Sequence, residues 1–283
     1  MHTAGRIVRV SHTVSANITD PRDPRLADYI GLKDAHIRRL PASDQFLVAE
    51  GPEVVRRLIA SGLPIRSILV SPNRLDAMAD ALDGVTSPVY TAERDVMTEV
   101  IGFDLHRGVV ATASRPTWST LDDVLARPPL DGRRHRLLMF ESMNDHENLG
   151  AIARSARAFG IDAMVLDSRC ADPYYRRTVR VSMGEILFMP VIRAEVPDVI
   201  DRVRQSGGTT LALTPAADAV DIRELPPLTD GPLVLLLGAE GPGLTSGAMV
   251  SAHMRVRIPI AADVDSLNVG HAAAVALALT SHI

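Results

Sequence analysis

Three stretches of this sequence put amide, guanidinium, carboxylate and hydroxyl side chains beside glycine, where a buried core would prefer apolar packing. The first is "NDHENLGAIARSARAFG", Asn144 to Gly160, which carries Asn148, Gly150 and Arg154. It follows the strand-like run "RLLMF". Asn148 therefore falls on the loop at a strand's C-terminal end and Arg154 about two turns into the next helix, the edge at which open α/β sheets bind ligands. The same residues also read more plainly, as a helix cap at Asn148, relief of crowding at Gly150 and an arginine reaching water. The second stretch, "LVLLLGAEGPGL", runs a buried strand into Gly238, Glu240, Gly241 and Gly243. Such a turn lets backbone N–H groups and a carboxylate approach a ligand closely, although Glu240 could equally be an acidic residue in the first turn of a helix. The third, "RIPIAADVDSLNVGHAAAVAL", ends a strand near Ile258 and opens a helix at Ser266, Leu267 and Asn268. An amide just inside a buried helix needs a partner, because an unpaired one costs about 1 to 3 kcal/mol. His146 and His271 are lone histidines of the kind that is more often structural than catalytic.

The elements that must position these residues alternate along the chain. Helical spacing at 26 to 40 and 50 to 61 flanks "FLVAEG", with "IRSILVS" after it. "SPVYTA", "ERDVMTEVI" and "RGVVATASR" then read as strand, helix and strand, so a small α/β domain over residues 1–115 is expected. "PTWSTLDDVLARPPLDGRRHR" reads as a linker over 116–136, a short helix followed by a Pro-Pro turn and a basic, glycine-containing end. Over 137–283, the runs "LLMF", "AMVL", "FMPVI", "TLALT", "LVLLLG" and "RVRIPI" alternate with helix-like segments, the pattern of a mostly parallel sheet covered on both faces. The last helix is apolar around most of its circumference, with Ser266 well placed as its N-cap.

Composition narrows the class. An apolar share of 46% over 283 residues supports a core without staples, and the lone Cys170 cannot form an internal disulfide. No Cys/His cluster has zinc spacing, so no metal is expected. The start "MHTAGRIVRVSHTV" lacks the marks of a signal peptide and no apolar run is long enough for a bilayer, which points to a cytoplasmic protein without a membrane partner. A net charge of -4 excludes binding of nucleic acid through overall positive charge and leaves room for a local basic patch. Lys33 is the only lysine among the basic residues. The arginine bias fits phosphate recognition, and a GC-rich genome would produce it as well. The glycine spacing after Leu237 is neither the dinucleotide fingerprint nor a nucleotide phosphate loop.

Taken as a set, Asn148, Gly150 and Arg154, then Gly238 to Gly243 with Glu240, then Ser266 to Asn268 resemble the three motifs of the SpoU, or TrmH-like, branch of the SPOUT RNA methyltransferases. The likeness covers about half the chain, from Leu137 onward, and "RRTVRVSMGEILFMPV" is similar to a further family segment. The resemblance implies S-adenosylmethionine as cofactor and a ribose 2'-hydroxyl of RNA as acceptor. It also implies a C-terminal trefoil knot and a homodimer through the knotted domain. Residues 1–115, with "FLVAEGPEVVRRLIASG", look like an L30e-like RNA substrate-binding domain, which favours ribosomal over transfer RNA. A non-catalytic RNA-binding protein that keeps the fold is the rival from another class. By the same resemblance, Thr214, Gly238, Gly241, Ile258 and Leu267 are the expected cofactor residues, and Asn148, Arg154, Glu240, Ser266 and Asn268 the expected catalytic group, with Glu240 orienting Arg154 or closing the pocket. The sequence departs from the pattern after Asn268-Val269, where Gly270 and His271 stand in place of a serine. Arg176, Arg177 and Arg180 are either an RNA-binding cluster or a solvated helix face.

Overall fold

The computed structural model describes residues 14–32, 45–103 and 107–281, in two compact units, Met1–Arg115 and Pro116–Ile283. The amino-terminal start and most of the helix expected over 26–40 lie outside the described residues. The part of that helix which is described is a 3-10 turn, Pro24–Tyr29.

The first unit holds β1 (Ala16–Ile18), β2 (Phe46–Glu50), α1 (Pro52–Ser61), β3 (Ile65–Val70), α2 (Leu75–Leu82), β4 (Val89–Ala92), α3 (Arg94–Ile101) and β5 (Val109–Ser114). Its sheet runs β1-β4-β3-β5-β2, with β1, β4 and β3 parallel and β5 antiparallel to both β3 and β2. Pro52 opens α1, where its missing N–H has no intrahelical partner to lose, and Gly62 ends it in the left-handed conformation. Leu26, Tyr29, Phe46, Leu69, Met97 and Ile101 pack together in one core cluster that draws on all five strands.

The second unit contains α4 (Leu121–Leu125), β6 (Arg136–Glu141), α5 (His146–Ala158), β7 (Ala163–Leu166), α6 (Arg176–Val181), β8 (Val191–Arg193) and α7 (Val196–Gln205). It continues through β9 (Thr209–Leu213), β10 (Val220–Asp221), β11 (Leu233–Gly238), α8 (Ser246–Ser251), β12 (Met254–Arg257) and α9 (Val269–Leu279). The strands form one sheet in the order β10-β12-β9-β11-β6-β7-β8, and each pairing is parallel. β6 and β11 are buried along their whole length, as strands covered on both faces must be. Met139, Val165, Val234 and Leu236 meet α4, α7 and α8 on one face, while α5 packs against α6 and α9 on the other. After β12 the chain returns past β9 so that α9 lies against α5 and β11.

The segment read as a linker is packed differently from that expectation. Ser119 pairs with Ile192 at the edge of the sheet, Thr120 and Asp123 cap α4 reciprocally, and Val124 is buried in the core. The apolar residues Leu121, Val124 and Leu125 outweigh the Pro-Pro turn that follows them. Among the described residues no helix is long and apolar enough to cross a membrane.

Candidate functional site

Because all strands of the second unit run the same way, the loops after β6, β9, β11 and β12 emerge on one edge. There the three stretches meet. Asn148 Nδ2 donates to Glu240 Oε2 at 3.0 Å, and Asn268 Nδ2 donates to Asn148 Oδ1 at 3.0 Å and to Glu240 Oε1 at 3.5 Å. Asn148 is 9% exposed, so its amide is satisfied by this triangle rather than by water.

Each corner is fixed locally. Asp145, not Asn148, caps α5 by accepting from the Asn148 N–H at 2.7 Å, which frees the Asn148 side chain for the triangle. α9 begins at Val269, and its cap is Asn268, whose Oδ1 accepts from the Gly270 N–H at 2.9 Å and the His271 N–H at 3.3 Å. Ser266 therefore does not cap the helix as expected, because the Asn268 side chain reaches the first free amides first. A side chain at Gly270 would come within 3.1 Å of the Asn268 Oδ1 that caps the helix, a tight approach that glycine avoids. At Gly150 a methyl group would come within 2.9 Å of the Thr178 carbonyl, so glycine sets the approach of α5 to α6. A methyl group at Gly238 would run into the backbone of Gly243 and Leu244, because the loop folds back through a bridge from the Gly243 N–H to the Ala239 carbonyl at 2.9 Å.

Beside the triangle lies a cavity of about 300 Å³. Its walls include Thr214, Gly238, Gly241, Ile258, Ser266 and Leu267, together with Glu240 and Asn268. All five expected cofactor residues thus line one space, and three of the five expected catalytic residues line it with them. Asn148 touches it through Glu240 and Asn268. Arg154 does not line the cavity. It stands exposed on α5, and among the described residues it has no ion pair or hydrogen bond, so Glu240 bonds the two asparagines instead of orienting Arg154.

The arginines of α6 have separate surroundings. Arg177 donates to Glu147 Oε1 from Nε at 3.0 Å, Arg180 is exposed and Arg176 is half-buried. His146 packs its ring on Tyr175, with centroids 4.0 Å apart, and His271 is exposed.

Two buried carboxylates escaped the sequence reading. Glu141, at the end of β6 and 5% exposed, accepts from the Thr245 N–H at 2.7 Å and the Thr245 hydroxyl at 2.8 Å, anchoring the exit of the glycine loop. Asp167, just past β7, accepts from the Ser142 N–H at 3.0 Å and holds Ser142 in a left-handed conformation at φ 58°. Their common signal is an acid and then a serine directly after an apolar run, "FES" and "LDS". Below them, burial pushes the Cys170 thiol up to about 12, and the thiol donates to the Phe140 carbonyl at 3.3 Å.

A parallel sheet with a glycine-walled cleft at its C-terminal edge defines a ligand-binding α/β protein. Comparison with known proteins narrows the class. The model of the SpoU rRNA methylase family matches residues 135–278. An uncharacterized tRNA/rRNA methyltransferase of Mycobacterium tuberculosis is 42% identical over 263 residues, covering 92% of this chain and 89% of that protein. The 23S rRNA (guanosine(2553)-2'-O)-methyltransferase of Bacillus subtilis is 24% identical over 86% of this chain and 91% of its own length. The crystal structure of an AdoMet-bound rRNA methyltransferase from Sinorhizobium meliloti superposes with a TM-score of 0.74 at 26% identity, over 93% of this chain and 96% of that one. The chain belongs to the SpoU rRNA methylase family, a family of RNA methyltransferases.

Proposed function

We propose that the protein transfers a methyl group from S-adenosylmethionine to a ribose 2'-hydroxyl of ribosomal RNA. The observation that carries this reading is the convergence of Asn148, Glu240 and Asn268 at the mouth of one cavity. The cavity suits the cofactor in size and chemistry. Ligand pockets start near about 300 Å³ and mix apolar walls with a few placed polar groups. Here Leu213, Leu237, Ile258 and Leu267 supply apolar walls, and the strand ends and glycine loop bring backbone groups to the surface. Thr214, Gly238, Gly241, Ile258 and Leu267 are the residues we assign to hold it. The neighbouring S. meliloti enzyme was crystallised with AdoMet. The ribose acceptor is supported by the B. subtilis relative, whose name gives a 2'-O product, and by the structural neighbour described as an RNA 2'-O ribose methyltransferase, with a TM-score of 0.73 and 26% identity.

When bound, the sulfonium supplies an electrophilic methyl group. The chain's own residues are left with orientation and charge. Glu240 and the two asparagines hold the loops in register, so that the pocket wall and the start of α9 keep fixed positions. A guanidinium keeps its proton, so Arg154 acts by holding the RNA phosphate next to the target and stabilising negative charge on the ribose oxygen, whose proton leaves to phosphate or water.

For Arg154 to act there, a second copy must bring it. We infer a homodimer in which α5 and α9 form the interface. Along these adjoining helices Ala151, Arg154, Ala158, His271, Val275 and Ala278 are exposed, a small and partly apolar surface beside the site. We further read the return of the chain from β12 past β9 to α5 as a trefoil knot, a topology that ordinary connection rules make rare. Residues 1–115 are assigned as an L30e-like RNA-binding domain on the "FLVAEGPEVVRRLIASG" motif, which spans β2 and α1. The deciding experiment replaces Arg154 by alanine and measures methyl transfer and cofactor binding separately. Transfer should fall about a hundredfold or more with AdoMet affinity retained; transfer at the parent rate would remove Arg154 from the mechanism.

A further inference from the structure

Trp118 is the single tryptophan of the chain, and it is 44% exposed. It is not on a loose tail. The next residue, Ser119, donates its N–H to the Val191 carbonyl at 2.9 Å and pairs with Ile192, adding a short extension to the free edge of β8. The Arg193 guanidinium lies over the indole at 4.8 Å from the ring centroid, and Tyr174 stands against it with centroids 5.8 Å apart. Arg193 is in turn held by a hydrogen bond from Nη1 to the Asp167 carbonyl at 2.7 Å.

The exposed ring is already paired with a cation, an arrangement that fixes its orientation. Next to it Arg169 is shared between two acids, Asp167 and, at 3.8 Å from Nη2, Glu141. The Arg169 side chain is 60% exposed, while the nearby acids are tied to backbone amides: Asp167 accepts from the Ser142 and Arg169 N–H groups, Glu195 from the Ser168 N–H and Glu141 from the Thr245 N–H. Arg169 also donates from Nη2 to Asp167 at 3.3 Å. An indole with a guanidinium on it and a second arginine alongside is the chemistry that takes an unpaired nucleobase and its phosphate.

The sheet places this platform relative to the cavity. Gly238 is in register with Glu141, Phe140 with Leu166, and Leu166 with Arg193. The platform and the cofactor cavity therefore share the C-terminal edge of one sheet, with Arg193 three strand spacings, about 14 Å, from Gly238 and the Trp118 segment one spacing further out. That separation suits a neighbouring nucleotide and not the target itself.

We propose that Trp118 and Arg193 form a stacking site for an unpaired base of the RNA substrate, flanking the nucleotide that enters the cavity. The inference rests on the RNA methyltransferase reading. Since Trp118 is the only tryptophan, its emission reports on the site directly. Purified total ribosomal RNA should be titrated into the full chain with two readouts, filter binding and tryptophan emission, and AdoMet affinity measured alongside. Emission should change with the same midpoint as filter binding. W118A should weaken RNA binding roughly 5- to 140-fold, the range expected for loss of one stacked base. W118F should keep most of the affinity, and neither variant should alter AdoMet binding. RNA binding with unchanged emission, or with W118A equal to the parent, would overturn the stacking site and leave the enzymatic reading intact. If the parent protein neither binds nor methylates ribosomal RNA, both fall together.

Discussion

Asn268 does two jobs that substitutions can separate. Its Oδ1 caps α9 through the Gly270 and His271 amides, and its Nδ2 closes the triangle with Asn148 and Glu240. Replacement by alanine removes both. Loss of an asparagine cap costs about 1 kcal/mol, within a range of about 0.5 to 2, so N268A should melt a few degrees lower. Replacement by aspartate keeps an oxygen for the cap and places it at a helix N-terminus, where a negative charge is favoured. The same change turns the Nδ2 donor into an acceptor facing the Asn148 carbonyl and the Glu240 carboxylate, at sites now 3.0 and 3.5 Å away. Two like charges about 4 Å apart repel by about 1 kcal/mol in water and about 4 kcal/mol near a protein surface. Glu240 and Asn268 are both exposed, so the lower half of that range applies. N268D should therefore melt close to N268A, its kept cap offset by the repulsion, and bind AdoMet worse than the parent, by roughly 10-fold or more, because the pocket wall around Glu240 and Leu267 loses its tie. Calorimetric titration of AdoMet and thermal denaturation of the two variants decide it. Equal AdoMet affinity for N268D and the parent would refute the claim that the triangle shapes the cavity.

Other expectations follow from the same geometry. G238A should abolish AdoMet binding while leaving much of the fold, because the added methyl must displace the Gly243–Leu244 backbone; calorimetry with circular dichroism reads both effects. G150A should lower stability by about 1 to 3 kcal/mol in a denaturant melt, since Val181 and the Thr178 carbonyl on α6 cannot both retreat. Cys170 should label with iodoacetamide far more slowly in the folded protein than in the unfolded chain at about pH 8.5, where a free thiol is half ionised. Its pKa is raised, mainly by burial, so the folded state keeps the proton longer. The thiol's contribution to stability is then intact below an ordinary thiol's pKa and is lost as the pH rises toward about 12. Fast labelling of the folded chain would contradict the burial.

Much of this site was legible because it breaks local rules. Amides at Asn148 and Asn268, and a carboxylate inside a glycine turn at Glu240, stand out against apolar neighbours, and the structure brings them together. The parallel sheet was equally readable from unbroken runs such as "LVLLLG", which β11 follows residue by residue. What periodicity cannot carry is which of two polar residues wins a cap. Ser266 and Asn268 both qualify by type, and only the start of α9 at Val269 selects Asn268. Nor does spacing along a chain show that a residue two turns into α5 stays out of the wall of its own cavity, as Arg154 does. Glu141 and Asp167 were missed because each is one acid at a strand end, and its partners, Thr245 and Ser142, are fixed only once the sheet brings its loops together. The short helix before the Pro-Pro turn was legible as well; what its pattern does not show is that Val124 enters the core of the second unit.

The destination of the methyl group tests the proposed activity most directly. Ribosomal RNA from a strain lacking this protein, incubated with the purified protein and methyl-labelled S-adenosylmethionine and digested to nucleosides, should return the label in a 2'-O-methylated nucleoside. Label on a base, or none transferred to RNA that the protein binds, would contradict it.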